Sequence, residues 1–374
     1  MEAVSCLLVS RKEETVGGTR AAISRASSSV MTPGPEGISE TRPSASAPYR
    51  TASAASSWLP MQQIFTLSFT RQILPAIPAR RLPVRRETCG AGRDSIRGVR
   101  RVLTTDLFLP LQRELVSLLR SLDDSDWLRP TVARGWAVKD VAAHLLDTDL
   151  RRLSMQRDGY RPRSPAKDLR NYDGLVKFLN ELNAAWVGAA ERLSPRVIID
   201  LLEWSGPQVA ELFASLAPDD PAPVSVAWAG EDSSANWMDV GREYTEKWHH
   251  QAQIRGAVGA APLDGRRWLA PVLELSMYAL PYAFRDVGAK DGDALAVAIG
   301  GEAGGVWHII KRGNGWELRE GNAAEAGARV RLDADTAWRL FFNALRGDEA
   351  ARRVAAEGDE RLCAAFLNVR SVMV

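Results

Sequence analysis

The sequence has few cysteines, few histidines and no long hydrophobic run. Its three cysteines, Cys6, Cys89 and Cys363, lack the paired spacing of a disulfide framework or of a cysteine metal site. The most apolar stretch, residues 268–284, contains Glu274 and two prolines, and it is too short and too interrupted to span a membrane. These absences exclude a disulfide-stabilised secreted scaffold and an integral membrane protein, and they predict a protein of the reducing cytoplasm.

A strong overall charge is also lacking, because the net charge is only +2. The charge is nevertheless uneven along the chain. Residues 1–101 contain 15 Lys and Arg against 7 Asp and Glu, whereas residues 102–374 contain 33 against 39. The basic character therefore belongs to the N-terminal segment and gives no reason to expect that the folded part binds nucleic acid.

Residues 1–101 show no sustained apolar period. Ser, Ala, Arg, Gly and Pro dominate this segment, so little apolar surface is available to offset the entropy lost on ordering the chain. Glu13, Glu14, Glu36 and Glu40 argue against a transit peptide, which is poor in acidic residues. We predict a disordered extension, or the translation of upstream sequence from a start site placed too early.

Residues 102–288 have the apolar spacing of amphipathic helices. We predict an antiparallel bundle of four main helices with additional shorter elements. A break is expected at Ser205-Gly206-Pro207, where glycine and proline disfavour a helix, and an extended segment is expected over residues 223–230. The predicted helices cover approximately residues 107–122, 138–156, 172–193, 195–216, 236–256 and 266–284.

Residues 289–374 change to a different period. Short alternating apolar segments predict strands, and Gly313-Asn314-Gly315 predicts a hairpin turn, because these residues accept positive φ at little cost. Strands followed by helices predict a separate small α+β domain, which makes the fold class α+β. The strands are expected at residues 294–299, 306–311, 316–320 and 328–332, and the helices at 336–345, 350–356 and 359–368.

Three of the four histidines fall on two predicted helices of the bundle. Glu246 and His250 are four residues apart and therefore share one helix face. Such a pair is more often a local contact than a metal site, but His144 on the second helix would complete a set of two nitrogens and one oxygen. This set suits Zn²⁺ or another divalent ion with one coordination position left open. His249 is an alternative to His250, although it lies about 100° away around the helix.

The segments Gly135–Leu145 (GWAVKDVAAHL) and Gly241–His250 (GREYTEKWHH) resemble the mycothiol-dependent maleylpyruvate isomerase family, a branch of the DinB-like metal-binding four-helix bundles. The resemblance covers about residues 103–285 and implies that His144, Glu246 and His250 are metal ligands. The segments Val330–Thr336 and Gly358–Leu362 resemble the small sterol-carrier-like domain that often follows this bundle.

The resemblance also implies a chemistry. Mycothiol or another low-molecular-weight thiol would occupy the open metal position, where the metal charge favours the thiolate. The thiolate would attack an electrophilic small molecule, giving cis–trans isomerisation or S-transfer. Two departures from the family pattern are Ala137, where a capping Thr or Ser is usual, and Gln253-Ile254, where an acidic residue is common. The second departure leaves the substrate open.

Arg242 is the candidate catalytic residue, because it could bind a substrate carboxylate from one turn before Glu246. The alternative is an ion pair with Glu246 or Glu243. Asp140 and Asp147 flank His144 and are either acceptors that orient its ring or surface carboxylates.

Two other functions stay open. One is a non-catalytic, metal-containing protein that binds an apolar ligand, and the other is a hydrolase that uses metal-bound water. The predicted partners are a small-molecule electrophile and a thiol, with no nucleic acid and no membrane, and the oligomeric state is left open.

Overall fold

The structure is a computed structural model that describes residues 99–161, 172–321 and 323–371. The prediction that residues 1–101 are a disordered or spurious extension lies outside the described residues, except for the last three positions. Within the described part, helices come first along the chain and a sheet follows, so the predicted α+β class is confirmed.

The described residues of the helical part form seven α-helices. They are α1 (Phe108–Ser121), α2 (Val138–Arg151), α3 (Tyr172–Ala190), α4 (Pro195–Ser215), α5 (Asn236–Val258), α6 (Arg266–Met277) and α7 (Leu280–Ala283).

Four of these helices form a closed bundle. α1 contacts α4, α4 contacts α2, α2 contacts α5, and α5 contacts α1. α3 packs on α2 from outside this ring, and α6 packs on α5. The predicted four-helix bundle is thus confirmed, with α3 and α6 as the additional helices.

α5 is buried along most of its length. Eighteen of its 23 residues are buried, including every residue from Met238 to Gln251. Many of them are charged, so this helix has no polar face turned to water, unlike a surface helix. Gly259 ends the helix at φ +69°, in the left-handed conformation that glycine adopts without strain.

The predicted break in the fourth helix is wrong, because α4 continues through Pro207. Its buried face runs without interruption from Leu202 through Ser205 and Gly206 to Val209. Tertiary packing along this face outweighs the local cost of one proline in the helix interior.

Three other predictions in the helical part are also wrong. The helix expected over residues 266–284 is divided, because Pro281 has no N–H with which to continue the ladder and α6 ends at Met277. Residues 223–230 form no strand and contain a short 3₁₀ turn at Ala227–Ala229 that buries Trp228. A π-helical turn, Arg152–Arg157, follows α2 where a plain helix was expected.

The C-terminal part contains a five-stranded mixed sheet and three short helices. Its elements are β1 (Ala294–Gly300), β2 (Gly305–Arg312), β3 (Gly315–Glu320), β4 (Ala328–Asp333), α8 (Ala334–Phe341), α9 (Gly347–Arg353), β5 (Ala355–Gly358) and α10 (Glu360–Phe366). The strand order is β3-β2-β1-β4-β5, and only β1 and β4 are parallel.

The predicted hairpin is confirmed, because Arg312 pairs with Gly315 across a two-residue turn. β5 was missed, since its four residues are all exposed and carry no apolar alternation. The two C-terminal motifs are strand-to-helix junctions. Asp333 caps α8 by accepting from the Thr336 N–H, and Asp359 caps α10 in the same way.

One hydrophobic cluster of buried residues extends from the bundle into the sheet. It includes Tyr244 and Leu275 in the helices and Leu295 and Val330 in the strands. The division into domains at residues 288–289 therefore stays a prediction. In the described ranges, no helix combines the length and the apolar character needed to cross a membrane.

Candidate functional site

The three predicted metal ligands come together inside the bundle. Glu246 and His250 stand one turn apart on α5, and the Oε2 atom of Glu246 is 3.5 Å from Nε2 of His250. The ring of His144 on α2 lies edge-on to the ring of His250, with 4.9 Å between centroids. All three side chains are buried. The contact between α2 and α5 thus places two imidazoles and one carboxylate in a common interior region.

Trp136 forms one wall of this region and was given no role by sequence reasoning. Its ring centroid is 5.1 Å from that of His144 and 6.4 Å from that of His250. The Trp136 carbonyl accepts a hydrogen bond from the Thr131 N–H, which closes the loop before α2. Its position next to Gly135, in the segment that carries the family resemblance, could have indicated that Trp136 lies near the site.

The electrostatic surroundings keep His144 neutral. Burial lowers the pKa of His144 well below its ordinary value, and electrostatic interactions with His250, Arg151 and Lys247 lower it further. A neutral imidazole has one nitrogen with a free electron pair, which is the form that binds a metal ion.

Gln253 bridges the two adjacent histidines of α5. Its Oε1 atom is 2.8 Å from Nδ1 of His250, and its Nε2 atom is 2.8 Å from Nε2 of His249. The spacing explains the bridge, because positions three and four residues earlier on a helix both neighbour Gln253. The sequence marked Gln253 only as a departure from the family pattern.

His249 contacts the C-terminal part of the chain. Its ring stacks on Phe342 at 4.7 Å between centroids and is tilted by 29°, and the Trp338 ring is 6.1 Å away. Burial, and to a smaller extent the electrostatic interaction with His250, lowers the pKa of His249 well below its usual range. Helix α8 thereby reaches the helix that carries Glu246 and His250.

Arg242, the predicted catalytic residue, lies in a buried ion-pair network. Its guanidinium is 2.6 Å from Asp239 and 2.9 Å from Glu243. Arg152 binds the same two carboxylates, at 2.7 Å and 3.0 Å. The pairing with Glu243 agrees with the ion-pair alternative, and a substrate carboxylate at Arg242 would have to displace an existing partner. Its role in catalysis stays a prediction.

Burial alone would raise the pKa of both carboxyls in this network. The charges of Arg152 and Arg242 and their hydrogen bonds reverse the effect and lower the pKa of Asp239 to about 2. The same two guanidiniums lower the pKa of Glu243. Both carboxylates are therefore ionised at neutral pH, and the network carries two positive and two negative charges.

A second buried ion pair lies directly beside Glu246. Lys247 is paired with Asp149 of α2, and Asp149 also accepts a 2.8 Å hydrogen bond from Ser205 of α4. This pair links three helices of the bundle and balances the charge of Lys247 in the interior. Sequence reasoning missed it, because the partners are 98 positions apart.

The two carboxylates that flank His144 have partners of their own. Asp140 accepts a 2.9 Å hydrogen bond from the Ala137 N–H, which caps α2 and compensates for the missing capping hydroxyl. Asp147 pairs with Arg151 at 3.1 Å, and burial raises the pKa of Asp147. A role for either in orienting His144 stays a prediction.

The donor atoms suit a metal ion in kind but are not assembled around a single point. In the part of the chain that the structure describes, no group of three or more His, Cys, Asp or Glu side chains is arranged to hold a metal ion. His144, Glu246 and His250 are neighbours within the bundle. The metal itself therefore stays a prediction.

Residues 108–255 match the family model for the mycothiol maleylpyruvate isomerase N-terminal domain. The predicted family resemblance is confirmed. The matched segment contains His144, Glu246 and His250 and ends before the sheet begins. The sterol-carrier-like character of residues 289–374 lies outside this segment and stays a prediction.

Comparison with solved structures finds two crystal structures of mycothiol-dependent maleylpyruvate isomerase, one of them a histidine-to-alanine mutant. Each is 14% identical to this chain, covers 68% of it and 94% of its own length, and gives a TM-score of 0.41. A stereoselective inverting sec-alkylsulfatase from Pseudomonas sp. is 16% identical over 62% of this chain and 44% of its own, with a TM-score of 0.22. These similarities are too low to support an argument about activity. No curated protein matches the chain.

Proposed function

We propose that the protein is a metal-dependent enzyme of the maleylpyruvate isomerase type that uses mycothiol or another low-molecular-weight thiol. The reaction would be a cis–trans isomerisation or an S-transfer on an electrophilic small molecule in the cytoplasm. The observation that carries the proposal is the grouping of His144, Glu246 and His250 inside the segment that matches the family.

The donor set fits a divalent ion, with Zn²⁺ as the first candidate. Two imidazoles and one carboxylate are typical catalytic zinc ligands, and three protein ligands leave one position for a thiol. We expect side-chain rotation on binding, because the described residues contain no preformed three-ligand cluster. When bound, the ion would lower the pKa of a coordinated thiol so that the thiolate forms at neutral pH.

The residues around the site would determine how much water and how much charge surround the reacting groups. Trp136 covers the two imidazoles and reduces their contact with water. The neighbouring ion pairs of Lys247 and Arg242 are internally balanced, so Glu246 supplies the carboxylate charge at the site. Lower exposure to water strengthens the attraction between that carboxylate and a cation.

Metal analysis of the purified full-length protein tests the site. We expect one equivalent of a divalent ion in the wild type and in His308→Ala, a control at a histidine of β2 that bonds the Gly321 carbonyl. We expect much less in His144→Ala and His250→Ala. Equal metal content in all four proteins, or none in the wild type, would contradict the proposed ligands.

Activity assays then separate the three candidate functions. The metal-loaded protein is mixed with a panel of electrophiles, including cis-configured unsaturated acids, with and without mycothiol. Metal-dependent turnover that requires the thiol supports the proposal. Turnover without thiol indicates a hydrolase, and the absence of any turnover across the panel indicates a binding protein.

A further inference from the structure

Arg151 lies on the same face of α2 as His144 and Asp147. Positions 144, 147 and 151 are separated by three and four residues, so their side chains form one row along the helix. Helical side chains lean towards the N-terminus, and the guanidinium of Arg151 therefore extends back towards Asp147 and His144. Burial is the main cause of the low pKa of His144, and the electrostatic interaction with Arg151 lowers it further, in agreement with this direction. A ligand that lies against the ring of His144 is within reach of this guanidinium.

The protein itself satisfies only part of the Arg151 guanidinium. The Nε atom is 3.1 Å from Oδ2 of Asp147, in an ion pair that lacks hydrogen-bond geometry. Neither Nε nor Nη1 donates a hydrogen bond to any of the described residues, although both atoms are buried. A buried donor without an acceptor is unfavourable, and a charged one more so. Because Asp147 is contacted from the Nε side, the edge formed by Nη1 and Nη2 is left for another acceptor.

Asp147 compensates the charge of Arg151 incompletely. Burial raises the pKa of the Asp147 carboxyl, and the opposing effect of Arg151 is the smaller of the two. Burial therefore disfavours the ionised form of the one carboxylate that is paired with this guanidinium. A second oxyanion, supplied by a ligand, would complete the compensation.

Arg242, which was predicted to bind a substrate carboxylate, is less suited to that role. Its guanidinium contacts Asp239 at 2.6 Å and Glu243 at 2.9 Å, and its side chain is 2% exposed. The Arg151 side chain is 22% exposed, so a ligand can reach it from solvent. A carboxylate at Arg242 would meet two ionised carboxylates, whereas at Arg151 it would meet one.

We propose that Arg151 binds the carboxylate of a small anionic ligand beside His144, and that Arg151, in place of Arg242, selects for acidic substrates. A guanidinium presents two parallel N–H groups that match the two oxygens of a carboxylate, and it stays protonated throughout the physiological pH range. The inference rests on the proposed function, because it names the substrate class of that site. It requires neither a bound metal ion nor a thiol.

Binding of maleate to the full-length protein, without added metal or thiol, tests the inference. Maleate is compared with its uncharged dimethyl ester by isothermal titration calorimetry. We expect Arg151→Gln to weaken maleate binding about 10- to 100-fold, the range for losing hydrogen bonds between charged groups. Arg151→Lys keeps the charge but loses the paired donors, so it should recover part of the affinity. Binding of the ester should be the same in all three proteins.

Arg196→Gln is the matched control. Arg196 also has an aspartate four residues away, Asp200, but its side chain is 91% exposed and belongs to α4. Its replacement should leave the affinity for maleate unchanged. An equal loss of affinity in Arg196→Gln and Arg151→Gln would mean that only the overall charge matters, which overturns the inference. Near-ultraviolet circular dichroism that matches the wild type establishes that each variant is folded.

The ring resonances of the histidines locate the bound anion. The chain has four histidines, few enough to assign by substitution in protein labelled with ¹⁵N-histidine. Maleate should shift the ring signals of His144 in the wild type but not in Arg151→Gln. The signals of His308, on β2, should not move in either protein. Shifts at His308 without shifts at His144 would place the anion elsewhere and overturn the inference.

Three further results would contradict the role of Arg151. They are a wild type that binds neither maleate nor fumarate nor succinate, an Arg151→Gln protein with unchanged affinity, and tighter binding of inorganic phosphate than of any carboxylate. The proposed function can fail separately, because a protein without turnover can still bind maleate through Arg151. Thiol-dependent turnover confined to uncharged electrophiles would support the proposed function and refute this inference. With a carboxylate electrophile that is turned over, Arg151→Gln should raise KM more than it lowers kcat.

Discussion

Replacing Arg152 with alanine should destabilise the protein far more than the loss of a surface ion pair. The Arg152 guanidinium donates to both oxygens of Asp239, at 2.7 Å and 2.8 Å, and to Glu243 at 3.0 Å. It also lies 5.5 Å from the centroid of the Phe213 ring. After the substitution, two buried carboxylates would share the single guanidinium of Arg242.

The expected loss of unfolding free energy follows from this imbalance of charge. Removing one partner of a buried ion pair typically costs about 3–5 kcal/mol, because the remaining charge is left without compensation. The low folded-state pKa of Asp239, about 2 against an ordinary value of 3.8, points to the same order of magnitude. A difference of nearly two pKa units corresponds to about 2 kcal/mol for this one carboxyl.

The pH dependence has a defined sign. Because the pKa of Asp239 is lowered on folding, its stabilising contribution is present above pH 3.8 and is lost as the pH falls towards about 2. Glu243 contributes in the same direction. Without Arg152 both contributions should shrink, so the difference in unfolding free energy between wild type and Arg152→Ala should narrow as the pH falls below about 4.

Urea denaturation of the full-length proteins measures the effect. Arg120→Ala is the control, because it removes a 2.6 Å ion pair with Glu203 whose side chains are 57% and 40% exposed. Such a pair is worth less than about 1 kcal/mol. Equal unfolding free energies for the two variants at neutral pH would refute the argument from buried charge. So would a difference that widens in acid.

Three other substitutions test close packing and capping. Gly206→Ala would place a methyl group 2.4 Å from Gln112 Cγ and should lower the free energy of unfolding in urea by about 1–3 kcal/mol; an unchanged value would mean that Gln112 moves freely. Asp333→Ala removes the cap of α8 and should cost about 1 kcal/mol in thermal unfolding, whereas no change would indicate that the cap is redundant. Gly358→Ala is disfavoured by φ +90° and by a backbone oxygen 2.0 Å from the added carbon, so it should lower the melting temperature clearly more than Gly256→Ala, where space is open.

Much of the architecture was predictable because apolar period and turn chemistry are local. The helices starting at Val138, Tyr172 and Pro195 and the hairpin at Gly313 are signalled by residues within a few positions of each other. The wrong predictions have non-local causes. α4 continues through Pro207 because it packs against other helices, and β5 forms because its backbone pairs with that of β4.

The candidate site, like the fold, was predictable only where local spacing or residue rarity gave a signal. Glu246 and His250 could be paired from helical spacing, and His144 could be added because histidine is rare in this chain. The positions of these three residues in the sequence do not predict which other side chains surround them. The Lys247–Asp149 pair joins residues far apart in the sequence, and the stack of Phe342 on His249 depends on how α8 packs on α5. The bridge through Gln253 lies within one helix, but the spacing alone does not show which of its possible contacts is formed.

The burial of α5 has a consequence for the dynamics of the protein. Because Met238 to Gln251 are all enclosed, the backbone amides of this segment should exchange with solvent only in large-scale opening events, more slowly than those of the outer helix α3. The helix that carries Glu246 and His250 should therefore be less mobile than the elements around it. Any motion that admits a small molecule to these side chains must be a motion of the neighbours of α5.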